Sequence, residues 1–282
     1  MHRTLIDAAT LSDHLLDATW VVLDVRHDLA DPAAGPAAYA AGHLPNAFHA
    51  HIDRDLSGPK TGRNGRHPLP AREALVERLR DWGVRRDTQI VAYDAHGGQF
   101  AGRLWWLARW LGHEAVAVLD GGYPAWLAAG GWVSQEAPDR LRGDFVPGNP
   151  LAPSVDAATL MSVLDEPARL VLDARTAERF EGRVEPIDPV AGHIPGAVNR
   201  FWGENLAPDA RFKPAAQLRA EFEALLGGRS PAQLIAQCGS GVTACHHLLA
   251  MEHAGLAGAA LYPGSWSEWI ADPARPIATG PG

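Results

Sequence analysis

Leu23-Asp24-Val25-Arg26 returns 149 positions later (23 to 172) as Leu172-Asp173-Ala174-Arg175. Ala41-Gly42-His43-Leu44-Pro45-Asn46-Ala47 returns 150 positions later (41 to 191) as Ala191-Gly192-His193-Ile194-Pro195-Gly196-Ala197. Further on, Asp120-Gly121-Gly122-Tyr123-Pro124-Ala125-Trp126 is echoed by Tyr262-Pro263-Gly264-Ser265-Trp266-Ser267-Glu268-Trp269. Several words in one order at nearly one spacing identify a duplicated unit. A chain of 282 residues is long enough for two domains of ordinary size. The copies are expected at residues 1–133 and 154–282. Between them, residues 134–153 include Asp139-Arg140-Leu141-Arg142-Gly143-Asp144 and show neither helical nor strand periodicity, so they read as a linker.

Within each copy, short apolar runs alternate with longer amphipathic ones. Trp20-Val21-Val22-Leu23, Gln89-Ile90-Val91-Ala92-Tyr93 and Ala115-Val116-Ala117-Val118-Leu119 predict buried strands, as do Leu170-Val171-Leu172 and Leu234-Ile235-Ala236. Residues 71–82 and 99–111 carry apolar side chains at three-and-four spacing and predict helices. The pattern is that of an α/β fold, a parallel sheet flanked by helices on both faces, built twice in tandem. Such sheets bind ligands beyond the carboxyl ends of their strands.

Composition narrows the functions. Hydrophobic residues make up 46% and charged residues 21%, ordinary for a globular protein. A net charge of −8 argues against nucleic acid or an anionic membrane as partner. No apolar run approaches a membrane-spanning length, and the N-terminal residues lack the apolar stretch of a secretion signal. Cys238 and Cys245 alone make no disulfide framework. A cytoplasmic protein is expected.

The chemistry is carried by the turn after the strand at 233–237. There Cys238-Gly239-Ser240-Gly241-Val242-Thr243 leads into a predicted helix starting at Ala244-Cys245-His246-His247. Glycines let backbone N–H groups turn inward, and those amides, with the positive end of a helix dipole, favour an anion at the loop centre. A thiolate is such an anion, so Cys238 reads as a nucleophile. Cys245, inside the helix, reads as packing, and His246 and His247, whose spacing does not suit a metal, read as helix surface and packing.

Cys238-Gly239-Ser240-Gly241-Val242-Thr243 resembles the active-site loop of 3-mercaptopyruvate sulfurtransferases, relatives of the thiosulfate sulfurtransferase rhodanese. The Gly-His-(Leu/Ile)-Pro words at 42–45 and 192–195 and the Asp-x-Arg strand ends are also rhodanese-like. The resemblance implies tandem rhodanese-like domains with the second catalytic. The first copy places Asp94 where the cysteine should be, and an aspartate cannot form a persulfide. It also implies ping-pong transfer of a sulfane sulfur through a Cys238 persulfide. The donor is small and anionic, 3-mercaptopyruvate, with thiosulfate as the alternative. The acceptor is cyanide, a low-molecular-weight thiol or a thioredoxin-like protein. No metal or organic cofactor is expected.

The resemblance also assigns roles. Gly239, Gly241, Val242 and Thr243 frame the substrate, and Arg179 matches the arginine that binds the donor carboxylate, a task suited to a guanidinium fork. Many mercaptopyruvate enzymes carry a second arginine after a Glu-Pro pair; here Glu185-Pro186 is followed by Ile187, leaving Arg183 as the expected substitute. Ser240 can hydrogen-bond the keto acid or relay a proton. His67, before Pro68-Leu69-Pro70, matches the family's histidine partner of that serine, while the matching aspartate falls at His51, with Asp53 two residues on. Arg175, in a motif that the copy lacking the cysteine shares, is expected to make a structural ion pair.

Three rivals are weaker. A phosphatase using this fold would need an arginine six positions after the cysteine, and position 244 is Ala. A non-catalytic binding module would not require Cys238. A nucleotide site at Gly97-Gly98-Gln99-Phe100-Ala101-Gly102 lacks the Gly-x-Gly spacing.

Overall fold

Gln89–Tyr93, Leu170–Asp173 and Leu234–Gln237 are buried at every position, the condition met by a strand covered on both faces. The computed structural model describes residues Met1–Gly282 and arranges these runs in two all-parallel sheets. The first contains β1 (Leu5–Ile6), β2 (Trp20–Asp24), β3 (Phe48–His49), β4 (Gln89–Tyr93) and β5 (Val116–Leu119), in the order β1-β5-β4-β2-β3. The second contains β6 (Leu170–Asp173), β7 (Val198–Asn199), β8 (Leu234–Gln237) and β9 (Ala260–Leu261), in the order β7-β6-β8-β9. The register repeats as well: Leu23 opposes Ala92 in the first sheet, and Leu172 opposes Ala236 in the second. No helix is long and apolar enough to cross a membrane.

The chain divides into two compact units. One comprises Met1–Gly58, Pro70–Leu151 and Leu206–Phe212; the other comprises Pro59–Leu69, Ala152–Asn205 and Lys213–Gly282. The stretch expected to be a linker is packed instead. Ser134 and His43 exchange backbone hydrogen bonds at 2.8 and 2.9 Å, and the amides of Gly143 and Phe145 donate to the carbonyls of Arg80 and Val84. The Phe145 ring is 2% exposed. A segment held by backbone pairing and one aromatic anchor carries no periodic signal, which is why its polar composition suggested a tether.

The repeated words prove to be struts. Arg26 forks onto Asp24, with Nη2 2.6 Å from Oδ2, and the same Nη2 reaches the Gly42 carbonyl at 2.7 Å. Arg175 does the same with Asp173 and the Gly192 carbonyl, both at 2.7 Å. His43 stacks on Tyr39 and His193 on Phe180, each pair at 3.8 Å between ring centroids. His193 Nδ1 also bonds the Phe180 carbonyl at 2.8 Å, pinning the short helix Ala177–Phe180 that carries Arg179.

His246 and His247 share a duty that adjacent helical residues rarely have. The Asn205 amide donates to Nδ1 of both, at 3.0 and 2.9 Å, and His247 Nε2 bonds the Arg200 carbonyl at 2.8 Å. Both rings are fully buried, so they are packing groups and not helix surface.

Candidate active site

β8 ends at Gln237, and the chain turns through residues 238–243 into the helix Ala244–His253. Cys238 is 1% exposed, and the Gly241 amide donates to its Sγ at 3.1 Å. That aim requires glycine. Gly241 has φ +77°, and a Cβ there would run into the Pro263 carbonyl oxygen. The loop base is fastened to the first turn of the helix Ser265–Trp269. The Cys238 amide donates to Ser265 Oγ at 3.1 Å, while the carbonyls of Cys238 and Gly239 accept from the amides of Trp266 and Ser267. Val242 and Thr243 start the next helix, their carbonyls accepting from Cys245 and His246. Cys245 is fully buried and donates its thiol to the Gly241 carbonyl at 3.3 Å.

The first unit shows what such a loop does with a carboxylate. Asp94 follows β4 as Cys238 follows β8. Its Oδ1 accepts from the amides of His96 and Gly98 at 2.8 and 3.0 Å, and its Oδ2 from Phe100 and Ala101 at 2.7 and 2.9 Å. Four converging amides on one buried carboxylate define an anion cradle.

Ser240 Oγ lies 2.7 Å from His67 Nδ1, and both side chains are buried. His67 arrives on the segment Pro59–Leu69, which belongs to the same unit as the loop. Gly65, at φ +80°, lies so close that a Cβ on it would sit 2.8 Å from the Gly264 carbonyl, and the Arg66 amide donates to Ser267 Oγ at 3.0 Å. In the other unit, His51 bonds its own neighbours. His51 Nδ1 accepts from the Asp53 amide at 3.1 Å, and its Nε2 bonds the Pro32 carbonyl at 3.2 Å.

Arg179 faces the loop. A Cβ built on Gly239 would lie 3.5 and 3.6 Å from Nη2 and Nη1 of Arg179. Its Nε and Nη2 are held by both oxygens of Glu185 at 2.8–3.1 Å, and Nη2 also reaches Asp188 Oδ2 at 3.1 Å. Glu185 additionally accepts from the amides of Ile187 and Asp188 at 3.0 Å. Arg183 does not join this group. Its side chain is 58% exposed and pairs with Glu181, so the expected substitution is corrected: the turn after Phe180 carries Arg183 outward.

One residue of the cluster was not singled out from sequence. Arg66 pairs through Nη1 with Asp188, and its Nη2 lies 2.8 Å from the Cβ position of Gly239. Burial draws its pKa below the usual arginine value, the neighbouring Arg179 and Arg175 push the same way, and the charges of Cys238 and Glu185 oppose them. The signal was tertiary, since only the folding of residues 59–69 against the loop gives Arg66 a place in it.

A strand-end thiol under an inward amide, beside a hydroxyl–imidazole pair and facing guanidinium groups, defines a site for nucleophilic chemistry on an anionic substrate. The rhodanese-like domain model matches residues 7–129 and again 156–272. This chain belongs to that family. It is 49% identical over 278 residues to a probable 3-mercaptopyruvate sulfurtransferase of Pseudomonas aeruginosa, covering 98% of each chain. It is 39% identical over 289 residues to a putative thiosulfate sulfurtransferase of Mycobacterium tuberculosis, covering 99% of this chain and 98% of that one. The crystal structure of a 3-mercaptopyruvate sulfurtransferase from Escherichia coli superposes with a TM-score of 0.80 at 29% identity, over 94% of this chain and 99% of the other.

Proposed function

We propose that the protein is a sulfurtransferase that takes sulfur from 3-mercaptopyruvate onto Cys238 and passes it to a thiol or cyanide. The Cys238 thiolate attacks the donor sulfur, the C–S bond breaks, and its electron pair leaves on the carbon as the enolate of pyruvate. That carbon takes a proton, for which Ser240 and His67 form the adjacent hydrogen-bonded pair, 2.7 Å apart. The product on the protein is Cys238-S-SH. The acceptor then attacks the outer sulfur, the S–S bond breaks, and its electrons return to Cys238 as thiolate.

The observation that carries this reading is the Gly241 amide aimed at Cys238 Sγ from 3.1 Å, at the head of a ten-residue helix. It stabilises negative charge on the sulfur, and Asp94 shows the same loop type holding a full anion through four amides. Arg179 supplies the cationic contact for the donor carboxylate. Uncharged Gly239 and Ser240 favour a keto acid over thiosulfate, whose compact dianion calls for basic groups in the loop itself.

The test is intact mass after donor treatment. The wild type should gain one sulfur atom and Cys238→Ser none, and steady-state turnover should favour 3-mercaptopyruvate over thiosulfate. Sulfur transfer surviving in Cys238→Ser would overturn the reading, and faster turnover of thiosulfate, unaffected by Arg179→Ala, would overturn the donor.

A further inference from the structure

We propose that Arg66 is the second cationic contact for the donor carboxylate, in the role that Ile187 leaves vacant after Glu185-Pro186; this rests on the sulfurtransferase reading above. Two guanidinium edges converge on the space over Gly239, next to Cys238. A Cβ there would meet Arg66 Nη2 at 2.8 Å and the two terminal nitrogens of Arg179 at 3.5 and 3.6 Å. The space is therefore open only because residue 239 is glycine.

Acids hold both arginines from behind. Asp188 takes Arg66 Nη1 with Oδ1 and Arg179 Nη2 with Oδ2, so one carboxylate sets the spacing of two guanidinium groups. Asp188 and Glu185 side chains are 2% and 4% exposed, whereas those of Arg66 and Arg179 are 28% and 16% exposed. The acids face inward and the bases forward. Arg66 Nη2 and Arg179 Nη1 are the ends not committed to these acids. A carboxylate laid over Gly239 would receive one charge-assisted hydrogen bond from each.

The charge balance agrees. Arg66, Arg175 and Arg179 meet Asp173, Glu185 and Asp188, a neutral set, but the two cationic ends at its front repel each other without a facing anion. A bound carboxylate relieves that repulsion. The ligand class is a 2-oxo carboxylate whose negative group is offset from the sulfur being transferred, since the clamp sits one residue beyond the thiol.

The test compares Arg66→Ala and Arg66→Lys with wild type, using 3-mercaptopyruvate as donor and 2-mercaptoethanol as acceptor. Arg66→Ala should raise KM for 3-mercaptopyruvate about 10- to 100-fold, the range for a lost charged hydrogen bond, with kcat within about threefold. Arg66→Lys should fall between, keeping charge without the fork. Alkylation of Cys238 by neutral iodoacetamide, in which an S–C bond forms and iodide leaves, is followed by mass and reports any loss of thiolate reactivity; the fall in kcat/KM with 3-mercaptopyruvate should exceed the fall in that alkylation rate by at least about tenfold in Arg66→Ala. A KM within about twofold of wild type, or an equal loss with iodoacetamide, would overturn the assignment. Either result leaves the Cys238→Ser test of the parent reading untouched.

Discussion

Ser240 Oγ and His67 Nδ1 lie 2.7 Å apart although 173 positions separate them in the chain. The pair exists because Gly65 lies close against Gly264 and the Arg66 amide locks onto Ser267. If the pair delivers the proton that quenches the departing enolate, His67→Ala and Ser240→Ala should each lower kcat with 3-mercaptopyruvate by about 100-fold or more, the usual scale of general acid catalysis. The double variant should be little worse than either single one, because the two groups act as a unit. Steady-state kinetics on the four proteins decides it, and strictly multiplicative losses would speak against a shared relay.

Asp94 gives a stability prediction free of catalysis. Its carboxylate satisfies four amides, three of them buried, and Asp94→Ala strands them. Each unsatisfied donor costs about 1–3 kcal/mol before relaxation and water entry, so a net loss of about 3 kcal/mol or more is expected in urea denaturation. Asp94→Asn, which retains one acceptor oxygen, should lose less.

His247 predicts a pH dependence. Burial, together with the charges of Arg200 and His246, lowers its pKa from 6.5 to about 3, against the opposing hydrogen bond to the Arg200 carbonyl. The unfolded chain therefore binds a proton below pH 6.5 that the folded chain refuses until about pH 3. Stability attributable to this ring is complete above pH 6.5 and falls by about 1.4 kcal/mol per pH unit as the solution is acidified between those values. The difference in unfolding free energy between wild type and His247→Gln should show that slope from pH 6 to 4 and be flat from pH 7 to 8.

Phe145 tests the packed nature of residues 134–151. With its ring 2% exposed, Phe145→Ala should cost about 3 kcal/mol, the lower end for truncating a buried phenylalanine. A free tether would lose nothing on the same substitution, so equilibrium denaturation separates the two descriptions.

Much of the fold was legible because parallel strands announce themselves. Gln89–Tyr93 and Leu234–Gln237 are buried throughout, so their apolar runs have no interruption to confuse them with surface. The Cys238 turn was legible too, since a cysteine, two glycines and a helix start sit within seven residues. What escaped has one physical character: its partners come from afar. Arg66 follows the exposed residues 60–63 and gains its place only from Asp188 and Gly239. Arg183 looked equally suitable by proximity, yet one turn of chain sends it outward to Glu181. Phe145 is a single aromatic in a charged stretch, invisible to any periodic pattern. The shared service of His246 and His247 depends on Asn205, about forty positions upstream, placing both hydrogens of one amide between them.

The occupied ring of amides around Asp94 limits how much cargo the molecule carries. A tethered guest that cannot leave turns one of two duplicated berths into a permanent plug. Radiolabelled sulfur should thus saturate at a single atom per 30.2 kDa polypeptide, however large the donor excess.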